Sequence, residues 1–255
     1  LMKWGYNMKY IYTLIFLSIL FLIYCFLPSI WARNISNTVL RQGDNDKKQI
    51  ALTFDDGPSP KYTPKLLDLL DDSNIKATFF LVGKRAAANK DIVNDIKERG
   101  HVIGCHSNTH KHAWLMLPHE TYSDMLTTFN TLSDITGEQP HWYRPPWGTF
   151  NLVSLNAARR LNLKPAYWCI EAQDWDNRST VEHIYSTVID KAALGSIVVL
   201  HANGGEPGAR ENTLKALPVI IDALKKDGFE FVTLDELIAE RKEAFLYEVN
   251  STNYN

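Results

Sequence analysis

Short apolar runs alternate along the chain with segments whose apolar residues recur every three or four positions. Residues 50–54 (IALTF), 77–82 (ATFFLV), 102–105 (VIGC), 141–143, 166–170, 196–200 (SIVVL) and 229–232 read as buried strands. Between them, residues 63–70, a stretch around Ile92, Val93 and Ile96, and residues 120–136, 151–161, 181–194, 212–227 and 235–242 carry helical spacing. Gly100, Gly137 and Gly228 stop three of these helices. Seven strands alternating with helices, without internal repeats, predict an α/β fold with a mostly parallel sheet covered by helices. Polar clusters follow the strand ends, where a (β/α) barrel builds its active site. A doubly wound open sheet is the alternative architecture.

One run breaks the pattern. Residues 11–27 are almost uninterrupted Ile, Leu, Phe and Tyr, with Lys3 and Lys9 before them and Ala32 shortly after. A basic flank, an apolar run and a small residue fit a secretory signal peptide; the length equally fits an uncleaved membrane anchor. Either sends the rest of the chain out of the cytoplasm. The expected organisation is a signal peptide or anchor over 1–32, a polar linker over 33–48, a catalytic domain over 49–241 and a tail over 242–255.

Composition narrows the function. A formal net charge of −2 over 255 residues, without a Lys/Arg cluster, gives no footprint for nucleic acid. Three cysteines form no disulfide framework; Cys105 and Cys169 are a possible pair, but small apolar fillers fit them better.

The chemistry centres on residues 51–60, ALTFDDGPSP. A strand ending in adjacent acids aims Asp55 and Asp56 at different targets, one at a metal and one at a water. Taken alone, Asp55-Asp56-Gly57-Pro58 reads better as a solvated turn, and the rest of the chain is what overturns that. His106 and His110, four apart, lie on one side of a helical turn and, with one carboxylate, make a His₂-carboxylate ligand set. Such a set suits zinc and its divalent neighbours. Arg144, in Arg-Pro-Pro-Trp-Gly, can orient a carboxylate and hold it ionised. Asp174-Trp175 pairs an acid with an aromatic that could wall a pocket. His201 ends the SIVVL strand and could be a proton donor tuned by Asp174, or a satisfied core histidine.

In this order, TFDDGPS, HSNTH, RPPWG, DW and VVLH resemble the five motifs of the polysaccharide deacetylases (NodB-homology, carbohydrate esterase family 4). The similarity runs from about Gln49 to Ile238. It implies an incomplete, distorted (β/α) barrel of about seven parallel strands. It also implies a metal-dependent enzyme that removes N-acetyl groups from an amino-sugar polymer such as peptidoglycan or a chitin-like chain. The resemblance makes Asp55 the catalytic base, Asp56, His106 and His110 the metal ligands, Arg144 the residue steadying the base and His201 the general acid. Asp174 tunes that acid, and Pro145, Trp147 and Trp175 form the substrate surface, the Trp147 N–H facing the oxyanion. The metal is expected to be zinc, with cobalt or nickel as substitutes. The partners expected are the glycan and, if the N-terminal segment is retained, the membrane, with the protein acting as a monomer. Trp147 is bulkier than the family's usual residue, and residues 202–210 read as a mobile Gly-rich segment with no transferable contacts. The rivals are an O-acetyl esterase using the same groups and a non-catalytic glycan-binding protein.

Overall fold

The computed structural model describes residues 2–43 and 47–239. All its strand pairings are parallel. β1 (Gln49–Gly57), β2 (Thr78–Leu81), β3 (Val102–Cys105), β4 (Trp142–Tyr143) and β5 (Lys164–Pro165) follow one another outward on one side. β7 (Ser196–His201) and β6 (Ile170–Glu171) lie on the other side of β1, giving the order β5-β4-β3-β2-β1-β7-β6. β8 (Glu230–Phe231) pairs with the first residues of β1. The sheet is a curled, unclosed barrel of seven strands with β8 appended, the form the family resemblance implies; the parallel pairing is what the alternation of runs predicts.

β1 is the axis. From Ile50 to Gly57 every residue is buried, so the strand reads as a continuous apolar run until the two aspartates. Its register against β7 pairs Ile50 with Ser196 and Asp55 with His201. Helices bury Leu66, Leu67 and Leu70 on one side and Leu217, Ile220, Ile221 and Leu224 on another, all within the main core with Phe54 and Phe79. Tight packing is visible at Gly104, where a Cβ would come within 2.8 Å of the Phe80 ring and 3.0 Å of the Trp142 Cβ.

Four features differ from the sequence reading. The run 166–170 is not one strand: the chain leaves β5, crosses the opening of the barrel and rejoins the sheet as β6 at the far edge. Its apolar character comes from closing that gap; the Tyr167 N–H donates to Leu40 and the Cys169 N–H to Ile197. Residues 36–43 do not form a free polar linker. Val39 and Leu40 are buried, Leu40 makes a parallel bridge to Ala166, and the Gly43 N–H donates to Gly195. Cys25, Cys105 and Cys169 are free thiols; Cys105 is the buried filler expected, whereas Cys169 is exposed. The final helix is described over Leu234–Leu237; the tail 242–255 lies outside the described residues.

The N-terminal run is helical from Met2 to Asn34, with one π-helical turn at Leu22–Phe26. Its last turns enter the domain: Cys25, Pro28, Ser29 and Ala32 are buried, and Ala32 belongs to the main core.

Candidate active site

The strand ends converge on β1. Asp55 is at the register position facing His201, and Asp56 turns the other way with φ of 69°. A left-handed conformation is strained for a residue with a Cβ, and such positions cluster at sites where a side chain must be aimed. Arg144, after β4, is fully buried. Its Nη1 donates to Asp55 Oδ1 at 2.9 Å and to Thr53 Oγ1 at 2.6 Å, its Nη2 to the Tyr167 carbonyl at 2.8 Å and its Nε to the Ala166 carbonyl at 3.3 Å. The guanidinium lies over the Phe80 ring, 4.2 Å from its centroid. A cation fixed at every nitrogen holds the Asp55 carboxylate in one orientation and offsets the cost of burying it.

Asp56, His106 and His110 form a cluster whose ligand atoms lie within 4.8 Å of one another. His106 Nδ1 is 2.8 Å from the carbonyl oxygen of Arg144. A carbonyl only accepts, so Nδ1 carries the proton and Nε2 presents a lone pair. That lone pair faces Asp56 Oδ1 at 3.3 Å, and His110 Nε2 faces the same oxygen at 2.6 Å. Asp56 Oδ1 is buried and accepts no hydrogen bond. Burial opposes ionisation of Asp56, but the imidazoles of His106, His110 and His201 outweigh it and hold the carboxyl well below the usual range. An unsatisfied buried carboxylate oxygen between imidazole nitrogens, one with its tautomer already fixed, fits a divalent cation. The loop carrying these ligands is clamped by Asp124, whose carboxylate accepts the Asn108 N–H (2.7 Å), the Thr109 N–H (3.2 Å) and the Thr109 hydroxyl (2.9 Å).

Across β1, His201 Nδ1 donates to Asp174 Oδ1 at 2.7 Å and the His201 N–H to Asp174 Oδ2 at 3.0 Å. This leaves His201 Nε2 for the substrate side. Burial works against the imidazolium, but the Asp174 carboxylate more than compensates, with Asp56 and Asp55 adding to it, and raises the pKa of His201. Asp174, fully buried, is held down to about 2 despite its burial by His201 and Arg210.

Every candidate site residue but one lies in this assembly or at its rim. Among the candidate residues, Trp147 and Trp175 are exposed, at 58% and 41%. Trp147 takes φ of 53°, and its ring centroid is 4.4 Å from that of His110. Pro145, expected at the substrate surface, is buried; it opens the turn Pro146–Gly148 that swings Trp147 outward.

Sequence reasoning missed three supports. Arg210 Nη1 donates to Asp174 Oδ2 at 2.8 Å, Arg210 also donates to the carbonyls of His201 and Asp174, and the Thr213 hydroxyl donates to Asp174 Oδ2 at 2.8 Å. Thr53, the third, donates to the Val198 carbonyl (2.7 Å) while accepting from Arg144. The only trace in the sequence is that Arg210 and Thr213, three apart at a helix start, share a face. The Gly-rich segment before Arg210 is tied down instead of free: the Glu206 N–H donates to the Trp175 carbonyl at 2.9 Å. Gly205 has φ of 73°, and a Cβ there would come within 2.7 Å of the Trp175 carbonyl. Only glycine lets the two loops approach so closely.

A profile of the family described as polysaccharide deacetylase matches residues 42–166. A Bacillus cereus protein named peptidoglycan-N-acetylglucosamine deacetylase is 35% identical over 201 residues, 79% of this chain and 72% of that protein. The chain belongs to the polysaccharide deacetylase family. Among solved structures, a peptidoglycan N-acetylglucosamine deacetylase bound to a naphthalenyl N-oxidanyl-benzamide superposes with a TM-score of 0.76 at 32% identity, covering 82% of this chain and 95% of that one. A family 4 acetyl xylan esterase from Clostridium thermocellum, in complex with cobalt, gives 0.69 at 34% identity, over 76% and 92% of the chains. This deacetylase chain spans only 40% of the length of a longer relative, a Listeria monocytogenes peptidoglycan-N-acetylglucosamine deacetylase.

Proposed function

We propose that the chain removes N-acetyl groups from N-acetylglucosamine units of an envelope glycan, peptidoglycan before a chitin-like polymer. The observation that carries the reading is the juxtaposition, at one end of β1, of an Arg144-held carboxylate, the Asp56–His106–His110 ligand set and an Asp174-held imidazole. Export of the domain is supported by the N-terminal apolar helix, and the glycan class by the relatives' names.

Asp56, His106 and His110 would hold a divalent ion, zinc in our reading, which would supply Lewis acidity for the hydrolysis. Asp55, oriented by Arg144, accepts the proton of the attacking water. The Trp147 N–H donates to the oxyanion as it forms. His201 Nε2–H gives its proton to the departing amine while Asp174, fixed by Arg210 and Thr213, stabilises the imidazolium. Trp147 and Trp175 present flat faces on which sugar rings stack. The single polypeptide holds all these groups, so we assign activity to the monomer.

Acetate release from peptidoglycan and from N-acetylglucosamine oligomers tests the assignment. Release from the glycans that exceeds release from acetyl-xylan supports it; the reverse preference overturns it in favour of an O-esterase.

A further inference from the structure

The apolar helix Met8–Asn34 is long enough to cross a bilayer. A hydrocarbon core of about 30 Å takes roughly 20 helical residues. Counted from Tyr10, the first residue after Lys9, such a span ends near Ser29. Yet the helix already touches the barrel well before that point. Phe21 packs edge-on against Trp114 with centroids 5.5 Å apart, and the Tyr24 hydroxyl donates to the Met116 carbonyl at 3.1 Å. Further along, the Phe150 N–H donates to Ser29 Oγ at 3.3 Å, and Arg41 donates to the Ala32 carbonyl at 3.0 Å. The span and the docked segment overlap, so no spacer separates membrane from barrel.

The domain surface at this junction carries several exposed apolar side chains. Leu115 and Leu117, flanking the Met116 that Tyr24 grips, are 71% and 59% exposed. Trp31 and Ile35 are exposed on the helix's last turns, and Leu152 on the segment after Phe150. Polar residues would be expected there if water covered the patch.

From this overlap we infer that the N-terminal helix is retained and seats the barrel directly on a lipid bilayer, with residues 113–117 in the headgroup layer. Removal of residues 1–32 would take out Ser29 and Ala32, which the domain buries, along with the apolar turns that cover Trp114. The occupant of the patch is lipid because the apolar run that follows Lys9 passes directly beside it into the domain, so a bilayer that takes the run also meets residues 113–117. The seat does not depend on the hydrolase reading. It does place the mouth of the site near the bilayer, since the His112 ring lies 5.3 Å from Trp114 and 5.4 Å from Trp147.

The test uses the full chain with Cys169→Ser, because Cys25 and Cys105 are buried. Leu115→Cys, and separately Leu117→Cys, would carry a polarity-sensitive fluorophore; Lys226→Cys, exposed at a helix end, is the control. Each is reconstituted in phosphatidylethanolamine–phosphatidylglycerol vesicles, with and without headgroup-proximal nitroxide lipid. The seat predicts blue-shifted emission at 115 and 117 and quenching about twofold or more above the control. Three results would overturn it: water-like emission with quenching equal to the control, a purified mass lacking residues 1–32, or a blue shift in detergent that follows protein concentration, which assigns the patch to a second copy.

Discussion

His106 and His201 are set by the same device used in opposite senses. Each donates from Nδ1, but His106 to a neutral carbonyl and His201 to a carboxylate. The first fixes a neutral tautomer with a free lone pair, suited to a cation; the second favours the imidazolium, suited to proton donation. Because the pKa of His201 is raised, its acid form persists above the ordinary imidazole value, and the basic limb of kcat/KM should lie above about 6.5. Asp174→Asn removes the carboxylate, so that limb should move to lower pH and kcat should fall on the order of 10²-fold or more. A pH–rate series on both proteins checks it. Arg210 acts on the same pair through Asp174. Arg210→Met leaves the full carboxylate charge to His201, so the basic limb should move upward while kcat falls with KM little changed. A loss of activity with an unmoved pH profile would reduce Arg210 to a packing role.

At the scale of elements, the barrel supplies strands and the loops do the aiming. The Asp124 clamp on the Asn108–Thr109 turn is a support of the kind whose loss typically weakens metal sites by about 10–100-fold. Asp124→Ala should therefore lower zinc affinity by that factor in a competition titration with a chelating dye, leaving the fold intact by circular dichroism. Much of this level was legible in the sequence. The apolar run 50–54, the Asp-Asp turn and the His-x-x-x-His spacing each carry their own pattern. The run 166–170 was misread because bridging an open barrel demands the same apolar residues as a strand does. Arg210 was invisible for another reason. Its role depends on a carboxylate 36 positions earlier, and no local periodicity reports a contact of that range. Pro145 joins the substrate surface only through the family resemblance; in the fold it is covered, and the turn it opens exposes Trp147 instead.

For the whole molecule, the site couples catalysis to stability. Asp174 has a folded-state pKa of about 2 and an ordinary value near 4 when unfolded, and Asp56 is also held below its ordinary range. Between those values the unfolded chain binds protons that the folded one does not. Stability is fully present above about pH 4 and is lost as pH falls from there toward 2, by ~2–3 kcal/mol for Asp174. Thermal melts from pH 6 down to 3 should show a fall that Asp174→Asn flattens. Zinc binding to the folded state alone should raise the melting temperature, by an amount equivalent to about 4 kcal/mol at 1,000 times Kd.

The most direct test of the central claim is acetate release from peptidoglycan by the metal-stripped full chain, with and without added zinc, beside Asp55→Asn. The site as described predicts release that zinc restores in the parent protein. It also predicts that Asp55→Asn binds zinc with similar affinity yet releases acetate at a rate lower by a factor on the order of 10²–10⁴. Undiminished release by Asp55→Asn, or release indifferent to zinc, would contradict the assignment of Asp55 as base beside a metal-holding Asp56–His106–His110 set.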